Sequence, residues 1–220
     1  MKPPKTILAL ALLVVAVHII VALVTPYEFH RDEFLYLAMG RHLDLFRMEF
    51  PPFIAMVAEA ERALFGDALW SIRLGPALAH GALVVLTAAI VRRLGGNFSA
   101  QLIAVTAVAT AQLFLRAASL FQPVAFDQLW WTLVLYVLVV IASEPETATS
   151  PRRWLWLGAA AGIGLLTTFT MLALGFGVVV ALLLARRAWL RTRGPWLTLL
   201  VALVVGSPSW IGQLQLGVPV

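Results

Sequence analysis

The chain has 220 residues, of which 61% are hydrophobic and only 12% charged, with a mean hydropathy of +0.92. Soluble domains carry roughly 45–50% apolar and about 25% charged residues, so this composition excludes an ordinary soluble enzyme as well as a disordered chain. A net charge of +5 would suit nucleic acid in a soluble protein, and the lack of cysteine removes disulfides, thiolate metal sites and thiol nucleophiles. Chemistry must then rest on carboxylates, histidines, arginines and hydroxyls.

A spanning helix needs about 20 apolar residues. The first run, 6–25, follows Lys2 and Lys5 and ends in Ala22-Leu23-Val24-Thr25. It is too long for the core of a signal peptide and offers no small-residue cleavage site, so it reads as an uncleaved first span. From Pro26 to about Arg73 the chain leaves the membrane and carries most of its ionisable residues. Within this loop, residues 31–43 place Phe34, Leu35, Ala38 and Met39 on one helical face. Residues 53–64 do the same with Phe53, Val57, Ala60 and Leu64, leaving Glu59, Glu61 and Arg62 off it. Two amphipathic helices along the membrane surface are expected, separated at Pro51-Pro52 because proline fixes an extended turn and disfavours helix before it.

Further spans are predicted at about 74–91, 98–115, 125–143 and 195–212. The stretch 154–185 would make a single helix of about 48 Å against a hydrocarbon core of about 30 Å. Arg152-Arg153 precede it and Arg186-Arg187 follow it, so an even number of crossings is required if both pairs face the cytoplasm. Paired short helices broken near Thr167-Thr168-Phe169-Thr170 meet that demand and bring the count to about seven. With the N-terminus cytoplasmic, 10 of the 16 basic residues lie inside, as do Glu144 and Glu146, whereas nine of the 11 acids lie outside. The basic bias orients the chain in the bilayer, and no nucleic-acid partner is expected. Fold class is therefore an all-α membrane protein of about seven transmembrane helices with two surface helices in the first outer loop (26–73), the whole of 1–220 forming a single module.

His18 lies mid-span with no acid in its helix and is read as an interhelical hydrogen bond, and His80 beside Gly81 as a packing residue. Gly158, Gly162 and Gly164 read as close helix packing. Asn97-Phe98-Ser99 matches a glycosylation sequon but falls on the cytoplasmic side beside Arg92-Arg93.

The loop and the spans after it resemble the polytopic glycosyltransferases of the GT-C fold, especially the bacterial branch of the dolichyl-phosphate-mannose protein mannosyltransferase superfamily that includes the aminoarabinose transferases (glycosyltransferase family 39-like). The resemblance is carried by Arg31-Asp32-Glu33-Phe34-Leu35-Tyr36 after the first span and by Glu49-Phe50-Pro51-Pro52 before the second surface helix. It continues with Leu64-Phe65-Gly66-Asp67, Arg73-Leu74-Gly75-Pro76-Ala77 and Asp127 opening the fourth span, and covers about Tyr27 to Gln213. It departs at Phe50 and Thr168, where relatives often carry basic residues, and the chain stops near the end of the shared seven-span module.

The resemblance implies transfer of a sugar from a polyprenyl-phosphate carrier to a lipid, glycan or protein acceptor on the outer face of a bacterial plasma membrane. It assigns Asp32 as general base with Glu33 beside it. Arg31, Tyr36, Glu49, Arg116 and Asp127 are assigned to the carrier or sugar, and Glu49 and Asp127 to a divalent cation (Mg or Mn) if one is used. A non-catalytic accessory subunit that keeps the module and a small-solute transporter are the competing expectations. The transporter is disfavoured because no inverted repeat is found and the charges cluster at one face.

Overall fold

A computed structural model describes residues 3–144 and 150–217, so Lys2 and Glu146 of the charge argument lie outside the described residues. Every regular element among the described residues is helical. The order is α1 (Lys5–Val24), α2 (Arg31–Arg41), α3 (Phe53–Phe65), α4 (Leu69–Ile72), α5 (Leu74–Arg93), α6 (Phe98–Thr110), α7 (Gln112–Ala118) and α8 (Pro123–Ala142). Then follow α9 (Pro151–Thr167), α10 (Thr170–Ala185), a 3₁₀ turn (Arg187–Arg191), α11 (Arg193–Val205) and α12 (Ser207–Leu216). They form two compact units, one of Met1–Leu43 and Ile54–Thr132, the other of Asp44–Phe53 and Leu133–Val220.

Three helices among the described residues are long and apolar enough to cross a membrane, namely α1, the stretch Leu69–Arg93 and α8. Two further helices are bent pairs, α6 with α7 at 56° and α11 with α12 at 55°, and counting each as one span gives five. The second bend has an evident cause, since Pro208 lacks the N–H that a continuous helix would use. Ala111 interrupts the first with an extended conformation, and no glycine or proline marks it. The stretch predicted as paired short helices is divided between α9 and α10, which meet across Thr168 and Phe169. At 17 and 16 residues they are about 24–26 Å long, short for a core of about 30 Å.

In the first unit the core lies between α1, α5 and α6, where Ile7, Ala11, Val14, Val84, Ala88, Val105 and Ala109 are buried together. Gly81 makes the α1–α5 approach possible, because a Cβ there would stand 2.7 Å from the Val15 side chain and 3.2 Å from the Ala11 carbonyl. His18 and His80 join the same helices through a buried bond of 3.0 Å between Nε2 and Nδ1, and His80 Nε2 lies 3.1 Å from the Val108 carbonyl on α6. Asn97 caps α6 by accepting the Ala100 N–H at 2.9 Å, a structural use for the residue of the apparent sequon.

In the second unit α9 packs on α11 through Gly158 and Gly162. A Cβ at either would enter Val201 or Val205. Small residues let helix backbones close in where lipid offers no hydrophobic gain for association. Gly164 instead accommodates Met171 at the start of α10.

Candidate active site

The polar centre of the first unit is built at the N-terminus of α2. His30 is its N-cap, and Glu33 at the third helical position reaches back to accept the His30 N–H at 2.7 Å, as in a capping box. Glu33 is nevertheless more than a cap. It is wholly buried, and its Oε1 accepts from Arg73 Nε (2.9 Å) and the Phe121 backbone N–H (2.7 Å), while Oε2 also accepts from Arg73 Nη2 (2.8 Å). Burial by itself would raise the carboxyl. The Arg73 hydrogen bonds, the Phe121 and His30 N–H groups and the Arg73 charge outweigh it and hold Glu33 below the usual carboxylate range. Arg73 also reaches the Glu28 carbonyl at 3.5 Å, so the loop before α2, the start of α5 and the turn before α8 are tied through one carboxylate.

Asp32 stands beside this pinned residue in a different environment. Its side chain is about a third exposed, with Oδ2 accepting from Gln122 Nε2 at 3.2 Å and Oδ1 lying 3.4 Å from Arg31 Nε. His30 Nδ1 accepts the Asp32 backbone N–H at 3.3 Å. Arg31 is almost fully exposed, so its ion pair with Asp32 contributes little to stability. Tyr36 follows one turn later on the same face. Burial, and then the Asp32 charge, raise its phenol above the ordinary value.

Of the remaining predicted residues, Asp127 is half-buried on α8 next to buried Phe126, and Arg116 is exposed in the last turn of α7 with no acid partner among the described residues. Glu49 is exposed and belongs to the second unit, where its carbonyl accepts from Gln213 Nε2 at 2.8 Å. Among the described residues no three His, Asp or Glu side chains converge as a metal site would require.

Three features escape sequence reading. Arg73 was placed only in the approach to the second span, and its guanidinium is the partner of Glu33 40 residues away. Gln122 carried no role, yet it holds Asp32. The side on which α2 and α3 pack is the third: Glu33 and Gly40 are buried on α2, and Ile54, Ala55, Ala58 and Glu61 on α3, while Phe34, Leu35 and Leu64 of the apolar faces are exposed. Apolar periodicity marks the core only where water is the alternative. A face turned to lipid is equally apolar, and polar and small residues then mark the packed side.

Glu61 is the sharpest case. Its Oε1 accepts the Gly75 N–H at 2.5 Å near the start of α5, whereas its Oε2 is buried without a hydrogen-bond partner. Burial pushes this carboxyl up to about 8, against a smaller downward pull from the Gly75 N–H. Among the described residues no basic side chain pairs with it.

Several long apolar helices and a buried ion pair beneath a half-open carboxylate define the class as a multi-pass membrane protein with a polar site at a helix start. The chain belongs to the dolichyl-phosphate-mannose-protein mannosyltransferase family, which it matches over residues 49–211. This is a family of membrane mannosyltransferase-like glycosyltransferases. The match begins after α2 and does not extend to Asp32 and Glu33. No curated protein and no solved structure matches the chain.

Proposed function

We propose that the protein transfers a sugar from a polyprenyl-phosphate carrier to an acceptor hydroxyl on the extracytoplasmic face, with inversion, and that Asp32 is the base. The observation that supports this most directly is the contrast within one dipeptide. Glu33 has every acceptor position filled and serves as a positioning residue, while Asp32 is held by Gln122 yet keeps lone pairs open to solvent. In the reaction, the Asp32 carboxylate takes the acceptor proton as the hydroxyl oxygen bonds to the anomeric carbon. The bond from that carbon to the carrier phosphate breaks, and the phosphate departs with the electron pair. A phosphate needs little protonation to leave, so a single carboxylate suffices. Exposed Arg31 and Arg116 are the cations assigned to the carrier phosphate, with Tyr36, Glu49 and Asp127 assigned to the carrier or sugar.

The seven-span topology with a cytoplasmic N-terminus belongs to the same proposal. It places α2 and α3 on the outer face of a bacterial plasma membrane, with α9 and α10 as two thin crossings.

The test is a reconstituted transfer assay with a polyprenyl-phosphate sugar. Asp32→Asn keeps size but cannot accept the proton, so turnover should fall by about 10²–10⁴ with carrier binding little changed. Glu59→Gln is the matched control, since Glu59 pairs only with Arg62 on its own helix. Arg31→Ala should instead weaken carrier binding. Equal turnover of the parent chain and Asp32→Asn removes Asp32 as base, and absence of transfer by both transfers the assignment to a non-catalytic subunit.

A further inference from the structure

The second unit has a half-open cavity of about 310 Å³ that the proposed chemistry does not use, lined by Trp154, Trp189, Thr192, Arg193, Gly194 and Leu197. It lies where α9 begins, where the 3₁₀ turn follows α10 and where α11 begins. Gly194 shapes it, because any Cβ at that position would enter the Trp154 indole. Trp154 and Trp189 meet edge to face with centroids 5.5 Å apart, and both are more than nine-tenths buried. Neither indole N–H has an acceptor among the described residues. Two indole N–H groups in the wall of one cavity, with no protein acceptor, are free to donate to an anionic or carbonyl oxygen.

The charge around the cavity has the matching sign. Arg152, Arg153, Arg186, Arg187, Arg191 and Arg193 surround it in the sequence, and the acid described beside them, Glu144, is taken by Arg153. Arg186 lies over the Trp189 ring at 5.5 Å, and Arg193, in the cavity wall itself, has no acid partner among the described residues. The outer surface of the same helix ends is apolar, with Leu155, Trp156, Leu184 and Trp196 exposed. A cavity of this size is at the lower end for small-molecule sites, and its rim of tryptophan, leucine and arginine is that of a membrane margin.

We infer that this cavity binds the headgroup of an anionic phospholipid. The phosphodiester oxygens accept from the two indole N–H groups and the Arg193 guanidinium, and the acyl chains follow the exposed apolar residues of α9 and α10. Basic residues alone are accounted for by membrane orientation. The two indole N–H groups without a protein acceptor and the cavity they line are what orientation does not explain, and the apolar rim favours a lipid over a soluble phosphate.

The test uses the purified full chain in non-ionic detergent, titrated separately with phosphatidylglycerol, phosphatidylcholine and inorganic phosphate. Binding is read by native mass spectrometry and by the thermal midpoint. Phosphatidylglycerol should bind and raise the midpoint, and phosphatidylcholine should do neither. Arg193→Gln should weaken phosphatidylglycerol about tenfold, as expected for loss of a hydrogen bond to a charged group, and Trp154→Phe should weaken it less. Arg93→Gln, the same charge change in the first unit, should leave binding unchanged. Arg193 is exposed, so its substitution keeps the fold even if Trp154→Phe does not. Equal binding of the two lipids overturns the inference, as does Arg193→Gln matching the parent chain. Inorganic phosphate that displaces phosphatidylglycerol at equal concentration would make the cavity a soluble-anion site and overturn the lipid assignment.

Discussion

Glu33 and Glu61 are both buried in the first unit, yet they lie at opposite ends of what burial does to a carboxylate. Glu33 has a guanidinium and two backbone N–H groups and stays ionised, whereas Glu61 has one N–H and is pushed up to about 8. Depth is similar; the donors differ. The first is a charged strut whose loss leaves a counter-charge stranded, and the second is a largely neutral acid near neutral pH that tolerates the loss of its proton poorly. Only the first, therefore, keeps the charge that binds Arg73 near neutral pH.

The largest break in this contrast should come from Arg73→Met, which strands Glu33 as an uncompensated buried charge. We expect a loss of about 3–5 kcal/mol, read as thermal unfolding in detergent. Arg73→Met with Glu33→Gln should recover much of it.

The pH dependence should follow next and has opposite signs for the two acids. A folded carboxyl raised to about 8 from 4.5 binds a proton that the unfolded chain has released, so Glu61 makes stability fall as pH rises through that window, by up to about 1.4 kcal/mol per pH unit. Glu61→Gln should flatten the profile there, and an unchanged slope would show that Glu61 is ionised. Glu33, whose folded value is depressed, contributes stability that is present above the ordinary carboxylate range and is lost as pH falls through its folded value.

A smaller effect is expected from Gly75→Ala. The added Cβ enters Glu61 Oε1 and approaches the Phe126 ring to 3.1 Å, for a cost of about 1–3 kcal/mol in unfolding experiments. The smallest should come from Gln122→Leu. It removes one part-exposed bond to Asp32 and should shift stability by less than about 1 kcal/mol, while raising KM or lowering kcat in the transfer assay if Asp32 needs that support.

Much of the helical framework was legible in the sequence, because long apolar runs in this composition admit few readings. The predicted spans 6–25, 74–91 and 125–143 fall on α1, α5 and α8, and the division of 154–185 falls at Thr168-Phe169. The break at Ala111 was not legible, since its cause is not a local breaker. The candidate carboxylates could be found because charge is conspicuous against an apolar background. Their partners could not. Arg73 and Gln122 are brought to α2 by tertiary packing, and nothing in their local sequence distinguishes them from residues that merely end a helix. The packed sides of α2 and α3 were not legible because hydrophobic patterning reports contact with anything but water, and lipid and protein interior score alike.

The Glu33 bonds also have a consequence in time. Its partners lie 40 and 88 residues further along the chain. At roughly 5–20 residues per second of synthesis, the carboxylate waits of order ten seconds after its own appearance before the Phe121 N–H exists. For the first 40 residues of that interval α2 has its His30 cap but neither distant anchor, and for the remaining stretch up to Phe121 it has Arg73 alone. Assembly of the site is therefore gated by delivery of the segment before α8, and a ribosome paused ahead of that segment would leave a nascent chain whose acidic loop is held by Arg73 alone.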